Sequence, residues 1–270
     1  MTSFAYALAD GAIIAKRNVI KLKRLPDVLV FTTMSPIMFV LLFAYVFGGS
    51  IDIAGSSNFN YREFLLAGIF AQTVVFGATF SGASIADDMQ KGIIDRFRSL
   101  PMARAAVLIG RTASDIVNNS ISLVVMSITG LLVGWRIRTS IPEAIVGFLL
   151  ILLFAYAISW VMSYVGLLVR SVEVVNNASF MVIFPMTFIA NTFVPSQNLP
   201  TGLRTIAEWN PVSAVAQAAR NAFGNTIPET SASSAWSLNH PVLYVLISVG
   251  VILAIFVPLS VRQYKRAAGR

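Results

Sequence analysis

Ala144–Val169, AIVGFLLILLFAYAISWVMSYVGLLV, runs without one charged side chain. About 20 apolar residues in a helix cross the roughly 30 Å hydrocarbon core of a bilayer, so this stretch is long enough to span a membrane. The whole chain agrees with it. Of 270 residues, 56% are hydrophobic and 12% charged, whereas soluble domains average about 45–50% apolar and about 25% charged. With a mean hydropathy of +0.75, the chain has room for at most about seven or eight spans and no separate soluble catalytic domain. The expected fold class is all-α integral membrane. The sequence contains no Cys, which removes disulfides, thiolate metal sites, iron–sulfur ligation and cysteine nucleophiles. The lone His240 cannot build a multi-histidine cage, so no metal site is expected.

Beyond 144–169, five more windows read as spans, at about 28–47, 64–86, 105–135, 174–195 and 242–261. The net charge of +8 and pI near 10.1 are those of a nucleic-acid binder in a soluble protein. In so apolar a chain they are loop charge, and nucleic acid is not an expected partner. Threaded through six spans, fifteen of the twenty Lys and Arg residues fall on one side, including Lys16, Arg17, Lys91, Arg96 and Arg98. Arg62, Arg136, Arg138, Arg204 and Arg220 fall on the other. Lys and Arg near span ends resist translocation, so the fifteen mark the cytoplasmic face and both termini are expected there. No small-residue cleavage site follows a short apolar core, so no removable signal peptide is expected.

Between the spans, residues 3–25 alternate a basic side (Lys16, Arg17, Lys21, Lys23, Arg24) with an apolar side (Ile14, Val19, Leu22, Leu25); Ile13 and Ile20 depart from the pattern. This is the signature of a helix lying on the cytoplasmic leaflet, each basic group adding roughly 1 kcal/mol near anionic head groups. In the second loop, Asp87–Pro101, the residues Ile93, Phe97 and Leu100 share one helical face while Lys91, Asp95, Arg96 and Arg98 fill most of the rest. Pro101 ends the helix. Such a helix either floats at the interface or docks an apolar knob in a partner's groove.

The third span carries a one-sided polar stripe of Arg111, Asp115, Asn118 and Ser122. Ionisable groups at membrane depth are costly unless paired or wetted, and Arg111 and Asp115 stand one helical turn apart, so they can pair. The stripe reads as interhelical glue or as part of a wet pathway. The fifth span shows Asn177, Phe180, Phe184, Thr187 and Asn191 on one face, and the second clusters Gln72, Thr73, Phe76, Thr79 and Phe80. Both suit amphipathic cargo as well as ordinary packing. Ala78, Gly82 and Ala86, four residues apart, permit a close helix crossing. Residues 195–240 are too apolar for a simple loop and are broken by Pro195, Pro200 and Pro211. They are expected to re-enter the outer leaflet as short helices, since irregular backbone at membrane depth must be covered by protein or line a cavity.

The sequence contains no phosphate-binding loop, no His-Glu-x-x-His motif and no paired Asn-Pro-Ala repeats. No catalytic residues are expected. One resemblance does stand out. The run Gly92-Ile93-Ile94-Asp95-Arg96-Phe97-Arg98-Ser99-Leu100-Pro101-Met102-Ala103-Arg104, following Asp87-Asp88, resembles the cytoplasmic coupling helix of type-2 ATP-binding-cassette (ABC) exporter permeases, in wording closest to the daunorubicin/doxorubicin-resistance subfamily. Ser35-Pro36-Ile37-Met38-Phe39 through Phe47-Gly48-Gly49 resembles that family's first span. Phe193-Val194-Pro195, Leu199-Pro200 and Trp209-Asn210-Pro211-Val212 resemble its extracellular re-entrant signature. The likeness covers essentially the whole chain, in the family's order.

This resemblance implies the type-2 ABC exporter permease fold, with an amino-terminal elbow helix (1–27), a six-span domain (28–261) and a basic cytoplasmic tail (262–270). It implies a non-enzymatic subunit of the cell membrane, of bacterial type, that binds no cofactor itself. Two cytoplasmic ATP-binding subunits would hold ATP and Mg, and a second permease copy, the same chain or a different one, would complete the transporter within the membrane lipids. Ile93, Ile94, Arg96, Phe97, Arg98 and Leu100 would meet the ATPase. The first, second and fifth spans would border the dimer interface and cargo route, with Gln72, Phe76, Phe80, Phe180, Phe184, Thr187 and Asn191 as cargo contacts. Cargo would be hydrophobic or amphipathic, either drug-like or lipid. Export of polysaccharide or lipid-linked glycan is the alternative within the superfamily, and an ATP-independent scaffold or channel is the alternative outside it.

Overall fold

The computed structural model describes residues 10–18, 20, 26–47, 61–98, 105–169, 171–226 and 233–266, and among these there is no strand. Helical residues 10–18 (α1) precede α2 (Pro26–Leu42), which continues as a wider π-helical turn, Phe43–Phe47. Then come α3 (Tyr61–Gly77), α4 (Thr79–Gln90), the short α5 (Ile93–Arg98), α6 (Ala106–Val133), α7 (Ile141–Leu168) and α8 (Val172–Ile189). Short helices α9 (Thr201–Glu208), α10 (Pro211–Phe223) and α11 (Trp236–Asn239) lead into α12 (Pro241–Arg266).

Among the described residues, five segments are long and apolar enough to cross a membrane: Tyr61–Gln90, Ala106–Val133, Ile141–Leu168, Val172–Ile189 and Pro241–Arg266. The expected first span corresponds to α2 and its π-helical turn, of which Met34–Val46 is a shorter apolar helix. The helices depart from the hydropathy windows at their ends. The segment over the expected second span runs on to Gln90, so Asp87 and Asp88 extend α4 rather than lead a loop. The chain turns at Gly92, whose φ of +64° is a left-handed conformation that favours glycine. α8 stops at Ile189, short of Pro195, because Ala190 leaves the helix at ψ 160°.

The long α7 is the hub, packed on by α12, α4, α10 and α6. Its crossing with α4 is the tightest: Gly82 lies against Gly166, and a Cβ on Gly82 would stand 2.6 Å from the Met162 carbonyl oxygen. Between membrane helices such backbone approach supplies dispersion contacts that lipid cannot replace. Ala78 and Ala86, the flanking small residues, are fully buried.

The end of the bundle that carries α10 is tied by buried polar bonds. Arg220 of α10, wholly buried, donates to the Phe64 carbonyl at 3.0 Å and the Thr192 carbonyl at 3.1 Å, with its guanidinium 3.5 Å from the Phe64 ring centroid. Tyr61 donates its hydroxyl proton to the Phe193 carbonyl (2.9 Å). The Trp209-Asn210-Pro211 run has a local explanation. Asn210 caps α10 by accepting from the Val212 amide at 2.9 Å and donates to the Met186 carbonyl at 2.7 Å, while Pro211 sits where a helix needs no amide donor.

Candidate functional site

A cavity of about 580 Å³ lies among five helices. α3 contributes Ile69, Gln72, Thr73, Phe76 and Gly77, and α4 adds Thr79 and Phe80 across the break at Ala78. That break is stabilised by the Thr79 hydroxyl, which donates to the Phe76 carbonyl at 2.7 Å. α6 contributes Asn118 and Ser122, α2 supplies Ser35, Pro36 and Phe39, and α8 supplies Phe180, Phe184 and Phe188. Ser171 starts α8 by accepting from the Val174 amide, with Glu173 in the first turn, where an acidic group suits the helix dipole.

Along α8 the rings form a ladder. Phe180 and Phe184 stack with centroids 5.1 Å apart, and Phe184 and Phe188 with centroids 4.2 Å apart. The ladder continues through Phe193 to Phe43 and Phe39 of the first apolar segment. Phe76 meets its other end, 6.1 Å from Phe180. No charged side chain lines the cavity among the described residues.

Of the expected cargo contacts, Gln72, Phe76, Phe80, Phe180 and Phe184 come together here. Thr187 and Asn191 lie elsewhere: the Thr187 hydroxyl bonds back to its own helix at the Ile183 carbonyl (2.9 Å), and the Asn191 backbone N–H donates to the Ser213 hydroxyl (2.8 Å). Phe188, Phe39, Ser35 and Pro36 were not anticipated. The repeat of Phe every four residues at 180, 184 and 188 would have pointed to Phe188. Nothing local signals Phe39.

The polar stripe of α6 divides in two. Arg111 Nη2 pairs with Asp115 at 3.3 Å and donates to the Phe80 carbonyl at 3.1 Å, while Ser81 donates to the other Asp115 oxygen. This half fastens α6 to α4. One turn further along, Asn118 and Ser122 face the cavity.

At the end of the bundle that carries α1 and α5, a second apolar cluster gathers Ile14, Ile85, Ile94, Leu108, Trp160 and Tyr264. α1 crosses α6 closely, with Gly11 against Ile109 and Gly110 against Ile14. Arg17, expected toward the lipid head groups, instead reaches under the bundle. It pairs with Asp88 at 3.8 Å and holds its guanidinium 4.9 Å from the Phe97 ring centroid, a cation–π contact. Ile13 and Ile20, the two exceptions to the amphipathic pattern, are exposed. In α5, Ile94 is buried in this chain's own cluster and Phe97 packs on it, Ile93 is half-buried and Arg96 is exposed. Leu100 and the Arg98 side chain lie outside the described residues.

At the opposite end, near the start of α3, Arg138 forms a bidentate pair with Glu63 (2.7 and 2.8 Å). The hydrogen bond and charge of Glu63 hold the Arg138 guanidinium above its ordinary pKa. Asn225 accepts from the Trp135 indole at 2.8 Å and donates to Glu63 at 3.2 Å, closing that end as a fixed network.

A helical bundle with an uncharged cavity among its membrane-crossing segments, and among the described residues no cluster able to hold a metal, has the architecture of a membrane permease. Residues 11–223 match the family model described as ABC-2 type transporter, and the chain belongs to that family as a multi-pass membrane permease. It is 30% identical over 249 residues, 92% of this chain and 83% of the relative, to the daunorubicin resistance ABC transporter permease protein DrrB1 of Streptomyces coeruleorubidus. It is 24% identical over 234 residues, 86% of this chain and 80% of the relative, to the probable doxorubicin resistance ABC transporter permease protein DrrC of Mycobacterium tuberculosis strain CDC 1551 / Oshkosh. A putative transport permease, ycf38 of Cyanophora paradoxa, is 23% identical over 79% of this chain and 73% of its own length. Membership implies an ATP-binding partner and a permease partner.

Proposed function

We propose that this chain is the membrane half of an ATP-driven exporter that moves compact amphipathic molecules, drug-like or lipid, out of the cytoplasm or inner leaflet. The observation that carries the reading is the cavity, lined by phenylalanines of α2, α3, α4 and α8 with neutral polar groups of α2, α3, α4 and α6 among them. A volume of about 580 Å³ lies in the ordinary range for small-molecule sites and suits a compact cargo better than a polysaccharide strand. Two ATP-binding subunits carrying ATP and Mg dock at the cytoplasmic face, where both termini also lie, and a second permease completes the route in the cell membrane of a bacterium. This chain itself holds no cofactor.

Closure of the ATPase pair moves α5. Through Phe97, Arg17 and Asp88 that motion is shared with α1 and α4, and through Ser81 and Asp115 with α6. Ile93 and Arg96 are the groups α5 leaves accessible to the motor, while Ile94 and Phe97 fix α5 to the bundle. Phe97→Ala is expected to loosen that attachment by about 2 kcal/mol, roughly half the cost of truncating a fully buried Phe, or roughly thirtyfold in the docking equilibrium. In inverted vesicles supplied with partner and ATP, cargo accumulation should fall while the permease still inserts. Normal ATP-driven accumulation by Phe97→Ala would remove the coupling role, and accumulation without ATP would favour a channel.

A further inference from the structure

We propose that Gln72 is the specificity-determining residue of the cavity, selecting cargo that carries an uncharged hydrogen-bonding edge on a flat apolar body. This rests on the reading of the cavity as the cargo site. Gln72 is only 4% exposed and lines the cavity, yet its side-chain amide makes no hydrogen bond within the described structure. Ser122, 6% exposed on the facing helix, and Asn118 are likewise without a side-chain partner there.

The contacts Leu66–Gly130 and Gly77–Asn119 fix the antiparallel register of α3 and α6. They set Gln72 opposite Val124, within a turn of Ser122. Donors and acceptors of the two helices therefore line one and the same space, which the Phe180, Phe184 and Phe188 rings also line. Unpaired amides in apolar surroundings are costly, and a cargo that satisfies them recovers that cost. A site built to bond a polar group rejects the analogue lacking it more strongly than a greasy pocket rejects a change of size. With no charged side chain among the described lining residues, the selected edge is a ketone, amide or hydroxyl rather than an anion.

The test uses a matched planar pair, 9-fluorenone and fluorene, which differ by one carbonyl. Tritiated probes are titrated onto the full-length permease in lipid nanodiscs, with empty nanodiscs as the partition blank. The wild type is expected to bind fluorenone about three- to tenfold more tightly than fluorene, the effect of one net hydrogen bond. Gln72→Leu should bring that ratio to about one, and Phe184→Ala should weaken both probes without changing it. Equal wild-type affinities, a comparison that needs no variant, overturn the proposal, as does a Gln72→Leu permease that keeps the preference. If the probes bind equally and Phe184→Ala weakens both, the cargo-site reading survives and Gln72 is not the selector. Failure of both probes to bind above the blank removes the cargo-site reading as well.

Discussion

The Arg111–Asp115 pair is the point at which fold stability and transport can be separated by mutation. Asp115 is paired with Arg111 at 3.3 Å and accepts from Ser81, with side chains 18% and 6% exposed for Arg111 and Asp115. Removing one partner of a fully buried pair costs about 3–5 kcal/mol. The partial exposure of Arg111 lets water share that cost, and hydrogen-bond couplings between membrane helices reach only about 1–2 kcal/mol. Asp115→Asn keeps the size and the Ser81 bond, so about 2 kcal/mol is the expected loss.

The double variant Arg111→Met/Asp115→Leu removes both charges and leaves one hydroxyl unsatisfied. It should regain most of the loss and fall within about 1 kcal/mol of wild type. Stability would be read from unfolding by sodium dodecyl sulfate in mixed micelles, with vesicle transport measured in parallel. If the pair fastens α4 to α6, the double variant is both stable and active. Asp115→Asn as stable as wild type, or a double variant no more stable than Asp115→Asn, would refute the energetic reasoning. A stable double variant without transport would assign the pair to the pathway.

Two further outcomes follow from the geometry. Gly82→Ala places a Cβ 2.6 Å from the Met162 carbonyl oxygen and 3.1 Å from Val175 Cγ1, so α4 and α7 must move apart; the overpacking should cost about 1–3 kcal/mol, seen as a lower midpoint in the same unfolding titration. Because the chain has no Cys, Arg96→Cys and Arg204→Cys each introduce a sole thiol. A membrane-impermeant maleimide should label the second in intact cells and the first only after permeabilisation, and the reverse pattern would invert the topology.

Residues that the bilayer acts on directly were readable one helix at a time. Ala144–Val169 had to be a crossing helix because no other conformation satisfies so long an apolar backbone in lipid, and α7 covers most of that stretch. Arg111 and Asp115 had to pair or be wetted because they stand one turn apart, and the small residues Ala78, Gly82 and Ala86 foreshadowed the close crossing. Helix ends were harder. The stop of α8 at Ile189 and the extension of α4 through Asp87 and Asp88 depend on caps and neighbours rather than on hydropathy.

Within the site, periodicity told which residues of a helix share a face, and that sufficed for Gln72 with Phe76 and for Phe180 with Phe184. It could not tell which neighbour that face meets. Ile93, Phe97 and Leu100 read as a knob for a partner. Yet Ile94 and Phe97 turn into this chain's own cluster, because Ile14 and Tyr264, distant along the chain, arrive beside them. Arg17 left the head-group side for the same reason, finding Asp88 and the Phe97 ring. Thr187 and Asn191 were expected on the face of the aromatic ladder, but the Thr187 hydroxyl bonds back to its own helix and Asn191 lies beyond the end of α8, its backbone amide held by the Ser213 hydroxyl. Hydropathy is a property of each segment against a common solvent, the bilayer, so the chain's order of residues established the class and the apolar character of the long helices. The cavity, the ladder crossing from α8 to the first apolar segment and the inward lock of α5 are contacts between segments far apart in sequence, and they came into being when those segments packed.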